Sequence, residues 1–323
     1  MTQLTDVLIL AGGLSHERAV SLRSGRRVAD ALTAVGVPVN VRDADAALLS
    51  VLAEQPPAAV FPCLHGALGE DGALREVLEL LDLPYVGSRP DACRLAWAKP
   101  VAKAAVRAAG LATPPAVALP RETFRELGAA AVLDALVQRL GLPVFVKPTQ
   151  GGSALGSSVV QEREQLPAAM VGCFAYGDTA LVERFVDGTE VAVSVVDSGT
   201  GPLALPAVEV APDSGMYDYA SRYTAGTTEF FVPARLPDEV LDDIAAAALT
   251  AHRTLGLRDL SRTDFVVDHT GTPWFLEVNV APGMTQTSLF PQAIAAAGLE
   301  LGEVCRELLT VAVERHVRRG TAG

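Results

Sequence analysis

Short apolar runs alternate with longer Ala/Leu/Arg-rich stretches at the start of the chain, and this alternation limits the possible folds more than any other feature. DVLILA is followed by SLRSGRRVADALTAVG, then by VPVNVRD and AAVFPCL. A strand that returns through a helix to a second strand comes back in the same direction, so the order predicts parallel pairing and an α/β layer. PYVGS closes this section at Ser88. A helix is expected from Lys99 to Gly110, ended by the prolines of ATPPAVAL.

Further on, LGLPVFVKP reads as a buried strand leading into QGGSALGSS, and TALVERFVDGTEVAVSVV as strands on either side of a turn at Gly188. Residues 209–229 are polar, carry Gly215 and Gly226, and read as one long loop. A helix (DEVLDDIAAAALTAHRTLG), a hairpin and a terminal helix complete the chain. With 323 residues, two or three domains are expected. Aromatics are only 5% against 50% apolar residues, so the cores should be aliphatic. A formal charge of -12 without any basic stripe argues against nucleic-acid partners. The four cysteines are widely spaced and form no CxxC pair, which suits a reducing compartment. No cationic leader precedes the first apolar run, and no apolar stretch approaches about 18 residues. A cytoplasmic protein with no membrane span is therefore expected.

The hairpin SRTDFVVD-HTGT-PWFLEVN is the most informative segment. A turn centred on Thr270 and Gly271 sets Asp264 opposite Glu277 and Arg262 opposite Asn279, with all four side chains on one face. Two carboxylates and an amide oxygen together suit magnesium, with water and phosphate oxygens completing the shell. The same residues also suit a solvent-facing strand. What favours a site is that the face runs directly into the turn APGMT. In VKPTQGGSALGSS, Lys147 ends a strand before a Gly/Ser loop whose N–H groups can meet phosphate oxygens, although no Walker loop is present. AGGLSHERAVSLRSG is a strand-to-helix turn in which Ser15 caps the helix or Glu17 meets a polar ligand. His65, in LHGALGEDG, reads alone as a structural hydrogen-bonding residue. Ser288 stands at a helix start, suited to capping or to a carboxylate.

Taken in order, GGLSHERAVSLRSG, LHGALGEDG, PYVGS, VKPTQGGSALG, YDYASRY, RTDF and LEVNVAPGMTQTSLFPQA resemble the D-alanine–D-alanine ligases of the ATP-grasp superfamily. The resemblance implies an α/β fold of three domains, a Rossmann-like one at 1–88 and two ATP-grasp subdomains at 89–186 and 187–323. It implies ATP-dependent joining of two D-alanines through an acyl phosphate, for peptidoglycan precursors. Lys99 and Lys147 would contact ATP phosphates, with Glu183 at the adenine hinge, Glu190 on the ribose and Arg222 also among the ATP-binding residues. Asp264, Glu277 and Asn279 match the ligands of two Mg²⁺ (or Mn²⁺) ions. Glu17 would receive the ammonium of the first D-alanine and Ser288 with the Leu289 backbone the carboxylate of the second, with His65 also among the substrate-binding residues. Arg262 and the Gly283 N–H would stabilise charge on oxygen, and Tyr223 would join Ser153 and Glu17 beneath a lid carrying Tyr217, Asp218 and Tyr219. A homodimer is also implied. Departures from the family pattern include Arg222 for a lysine, Ala19 for a glutamate, Ala154 for a serine and Trp97-Ala98 before Lys99. They bear on substrate choice, and leave a ligase for another D-amino or D-hydroxy acid, or an inactive ATP-binding relative, as alternatives.

Overall fold

The computed structural model describes residues 4–213 and 226–320. Three sheets organise them. The first holds β1 (Val7–Ala11), β2 (Val39–Asp43) and β3 (Ala59–Pro62) in the order β2-β1-β3, with both pairings parallel as the alternation predicts. Every residue of β1 is buried, which explains its unbroken apolar run. Val7 and Ile9 face a core with Val28 and Leu32 of the Arg18–Ala34 helix, while Leu8 and Leu10 face another with Leu48, Leu52, Leu74 and Leu78.

The second sheet is antiparallel, with β4 (Ala116–Pro120), β5 (Val144–Pro148), β6 (Ser158–Val160) and β7 (Thr179–Arg184) in the order β4-β7-β5-β6. Its apolar face packs on Leu133, Leu136, Leu140, Leu166 and Met170 from two helices. The third comprises β8 (Thr189–Val196), β9 (Leu203–Ala204), β10 (Val208–Pro212), β11 (Thr228–Phe231), β12 (Leu260–Val267) and β13 (Pro273–Asn279). Its path is β11-β10-β8-β12-β13, with β9 also paired to β8.

The strands either side of Gly188 therefore enter different sheets, and residues 185–188 form the crossing. A Cβ at Gly188 would lie 2.1 Å from the Val267 carbonyl oxygen, so only glycine lets the crossing pass this close to the end of β12. The long loop expected over 209–229 is shorter than its composition suggests. Its two ends are strands, with Glu209 paired to Phe231 and Pro212 to Thr228. The polar residues there are partly structural: the Glu209 carboxylate accepts from the Arg235 guanidinium at 2.6 Å. Residues 214–225 lie outside the described residues, and with them Tyr217, Asp218, Tyr219, Arg222 and Tyr223.

The terminal helix Leu301–Gly320 returns to the beginning of the chain. Val304, Leu308 and Leu309 share the core of Val28 and Leu32, and a Cβ at Gly302 would lie 2.3 Å from the Ala31 carbonyl oxygen. Asp259 fastens the same region, accepting two hydrogen bonds from Arg315 at 2.7 and 2.9 Å and one from the Gly87 N–H at 2.7 Å. Among the described residues no helix is long and apolar enough to cross a membrane.

Gly188→Ala should destabilise the protein by roughly 1–3 kcal/mol through overpacking against Val267, read as a lower midpoint in denaturant unfolding. An unchanged midpoint would show that the crossing relaxes freely.

Candidate active site

Two cavities meet where the three sheets converge. One, of about 390 Å³, opens between the second and third sheets; the other, of about 510 Å³, reaches towards the first sheet. Lys99, Gly151, Gly152, Glu277 and Leu289 line both.

The β12–β13 hairpin supplies the wall between them. Asp264 pairs with Glu277 and Arg262 with Asn279, the register expected from the turn. Beyond Asp264 the register shifts, so that Phe265 pairs with Phe275 and Leu276 is bulged out of the ladder. The Arg262 guanidinium donates two hydrogen bonds to Asp264, at 2.7 and 2.8 Å, a bidentate pair that fixes both side chains. Asn279 Oδ1 accepts from the Ala281 N–H at 2.7 Å, orienting the amide. Glu277 Oε2 lies 3.4 Å from the Lys99 ammonium.

Lysines crowd the first cavity. Lys99 begins the Lys99–Ala108 helix, and its Nζ donates to the Gly151 carbonyl at 2.6 Å. That contact holds the Gly/Ser loop, in which Ser153 (φ 54°) and Ala154 (φ 55°) adopt left-handed backbone conformations. Such conformations cost roughly 1–2 kcal/mol per non-glycine residue, and strain of this kind concentrates at functional loops. Lys147, at the end of β5, lies 2.6 Å from Glu183 on β7. Glu183, expected at the adenine hinge, turns its carboxylate into this ion pair, while residues 185–188 form the adjacent cavity wall. Burial alone would push the Glu183 carboxyl up; the Lys103 and Lys147 ammonium groups outweigh it and hold it below its usual range. Glu190, on β8, lines the same cavity.

The second cavity has carboxyl groups of its own. Glu17 precedes the Arg18–Ala34 helix and accepts a hydrogen bond from the Ser153 hydroxyl, joining the first sheet's loop to the Gly/Ser loop. The Ser15 hydroxyl accepts from the Glu17 N–H at 3.2 Å and so shapes this turn rather than capping the helix interior. Glu70 is buried beside Glu17. Burial pushes its carboxyl up to about 8, and the Glu17 charge pushes the same way. Ser288 does not cap its helix by its side chain; its Oγ accepts from the Thr285 N–H at 3.0 Å. Leu289 begins that helix on the wall of both cavities, and Gly283 lines the second.

His65 is buried, and both ring nitrogens meet protein groups. Nδ1 donates to the Ala281 carbonyl at 3.1 Å, leaving Nε2 to accept from the Ser24 hydroxyl at 3.4 Å. The Ser24 Oγ in turn accepts from the Met284 N–H at 3.1 Å. Burial lowers the His65 pKa and favours this neutral form. Ser24 and His65 thus clamp the turn on both sides of Gly283. Sequence reasoning missed Ser24, Glu70 and Lys103. Glu70 lay within the quoted LHGALGEDG, and Lys103 falls one helical turn after Lys99, which was the available signal.

The family model described as "D-ala D-ala ligase C-terminus" matches residues 105–310, and "D-ala D-ala ligase N-terminus" matches residues 42–88. The chain is 38% identical over 306 residues to a D-alanine–D-alanine ligase of Pelotomaculum thermopropionicum, covering 95% of this chain and 96% of that protein. It is similar in structure to a D-Ala:D-Ser ligase from Enterococcus faecalis, with a TM-score of 0.82, 26% identity and coverage of 96% and 100%. It is also similar to the D-alanine–D-alanine ligase of Bacillus anthracis complexed with ATP, with a TM-score of 0.80, 25% identity and coverage of 98% and 99%.

Ser24→Ala should cost about 1–3 kcal/mol, because the Met284 N–H loses its acceptor in a buried place. Thermal unfolding would report it. Unchanged stability would mean that water replaces the hydroxyl.

Proposed function

The chain belongs to the D-alanine–D-alanine ligase family and is an ATP-dependent ligase, and from that premise we propose how its residues divide the work of joining two D-alanines. Nucleotide occupies the cavity between the second and third sheets. Lys99 and Lys147 hold its phosphates, residues 185–188 with Glu183 border the adenine, and Glu190 holds the ribose. The amino acids occupy the second cavity. Glu17 receives the ammonium of the first, and Ser288 with the Leu289 N–H receives the carboxylate of the second at a helix start.

Asp264, Glu277 and Asn279 offer three oxygen donors on one face at the junction. Among the described residues no three His, Cys, Asp or Glu side chains form a closed cage, so water and phosphate oxygens would complete the shell of one or two Mg²⁺ (or Mn²⁺) ions. When bound, the metal neutralises charge on the transferred phosphoryl group.

In the first step the carboxylate of the first D-alanine takes the γ-phosphoryl group of ATP, giving an acyl phosphate and ADP. The amine of the second then attacks the carbonyl carbon, loses a proton, and phosphate leaves from a tetrahedral intermediate. Negative charge grows on the carbonyl oxygen in this step. Arg262 and the Gly283 N–H, fixed by Asp264 and by the Ser24–His65 clamp, are preorganised donors for it. Water must be kept from the acyl phosphate. The lid residues that the resemblance implies, Tyr223 and Arg222 among them, lie outside the described residues. The observation that carries this reading is the Arg262/Asp264/Glu277/Asn279 face, which stands where the two cavities join.

The product, D-alanyl-D-alanine, serves peptidoglycan precursor synthesis. As part of the same proposal the chain works in the cytoplasm as a homodimer. All four cysteines are buried and unpaired, as a reducing compartment leaves them.

Magnesium-dependent ADP release should require D-alanine and be negligible with L-alanine, in a coupled assay that also includes D-serine and D-lactate. Equal rates with both alanine enantiomers would overturn the reading. Arg262→Met should lower kcat by roughly 10²–10³-fold, the scale of a lost oxyanion donor, with a much smaller change in KM for D-alanine. A pure KM effect would make Arg262 a ground-state binding residue.

A further inference from the structure

Glu183 is shared by two lysines, one at each oxygen. Lys147 Nζ lies 2.6 Å from Oε1, and Lys103 Nζ lies 2.9 Å from Oε2. All three side chains are buried. Only two of them face the ligand space: Lys147 and Glu183 line the cavity between the second and third sheets, whereas Lys103 lines neither cavity. Lys103 also donates to the Phe275 carbonyl at 3.0 Å, so its ammonium spans from β7 to β13.

We propose that Lys103 is a positioning residue for nucleotide binding, which keeps Glu183 paired so that Lys147 is able to turn from it to a phosphate. The inference rests on the reading of that cavity as the nucleotide site. A lysine held 2.6 Å from a buried carboxylate is poorly placed to serve a phosphate, because leaving would strand an uncompensated buried charge. A second ammonium behind the carboxylate removes that obstacle: when Lys147 turns away, Glu183 still has a partner. Two cations against one anion also leave this cluster itself one charge positive, set against the nearby Glu277 and Asp264 carboxylates, so that an ammonium is on hand for a polyphosphate. Without the Lys103 charge, Lys147 would be committed to Glu183.

The test is the dissociation constant of a non-hydrolysable ATP analogue with Mg²⁺, measured by calorimetry on the full chain, together with KM for ATP and for D-alanine. Lys103→Gln retains donors for Phe275 and Glu183 but loses the charge. It should weaken nucleotide binding by roughly tenfold, the scale of one charge-assisted hydrogen bond, and leave KM for D-alanine unchanged. In a Glu183→Gln background the same change should have no further effect, because the carboxylate it serves is gone. Wild-type affinity in Lys103→Gln, or the same weakening in the Glu183→Gln background, would overturn the proposal. Should Lys103→Gln fail to fold, comparison of Glu183→Gln with the double variant still decides, since unequal affinities would also overturn it. A wild-type protein that binds no nucleotide would sink both the functional reading and this inference, whereas normal wild-type binding with an unaffected Lys103→Gln would sink the inference alone.

Discussion

Strand β12 is paired along its whole length to β8 and, from Arg262 onwards, also to β13, and the site depends on this double pairing. A strand hydrogen-bonded on both sides cannot slip by one residue without turning every side chain to the opposite face. Arg262, Asp264, Glu277 and Asn279 therefore inherit their common direction from backbone bonds, before any of them touches another. The bidentate Arg262–Asp264 contact refines a geometry that the ladder has already set. Phe265 and Phe275 pack edge to face in the core on the other side of the sheet, which anchors the hairpin against rotation.

Charged side chains line the space on either side of the hairpin. On the nucleotide side, Lys99 and Lys147, with Lys103 behind Glu183, face the carboxylates of Glu183, Glu190, Asp264 and Glu277. On the amino-acid side, Glu17 stands beside the buried Glu70, whose carboxyl, pushed up to about 8, is mainly protonated at neutral pH, and Arg23 and Arg262 line the same cavity. A ligase of this kind must hold a polyanion next to an ammonium group, and individual groups rather than a difference in net charge serve the two: Lys99 and Lys147 for the one, Glu17 for the other. Glu277, within reach of Lys99 and on the wall of both cavities, stands at the boundary of the two.

Much of this was readable in the residues, and the limits have physical reasons. The parallel opening followed from period and order, because β1 is apolar on both faces. The hairpin register on the site side followed from a turn whose glycine marks its tip. The bulge at Leu276 did not, since an extra residue in one strand leaves no mark on the alternation of the other. The strands Val208–Pro212 and Thr228–Phe231 were hidden by polarity: Glu209 is buried only because Arg235, distant in sequence, meets it. Lys103 was passed over because its worth depends on Glu183, some eighty residues away. Ser288 looked like a helix cap, but a local turn with Thr285 takes its hydroxyl instead. The described motif residues found by resemblance gather around the two cavities, while Ser24, although inside the motif GGLSHERAVSLRSG, shows its part only through the Met284 N–H some 260 residues on.

The packing of the terminal helix against the first one has a consequence for how the protein is made. Val28 and Leu32 emerge from the ribosome early, yet Val304, Leu308 and Leu309 complete their core. The side of the first helix that meets the terminal one, with the neighbouring part of the sheet face, must therefore remain uncovered until then, a long-range contact that slows folding and exposes apolar surface meanwhile. The second sheet has its own helices close in sequence and is under no such delay. The middle of the chain can thus be finished while its beginning still waits, and the amino-acid cavity, whose wall includes Glu17, is assembled last.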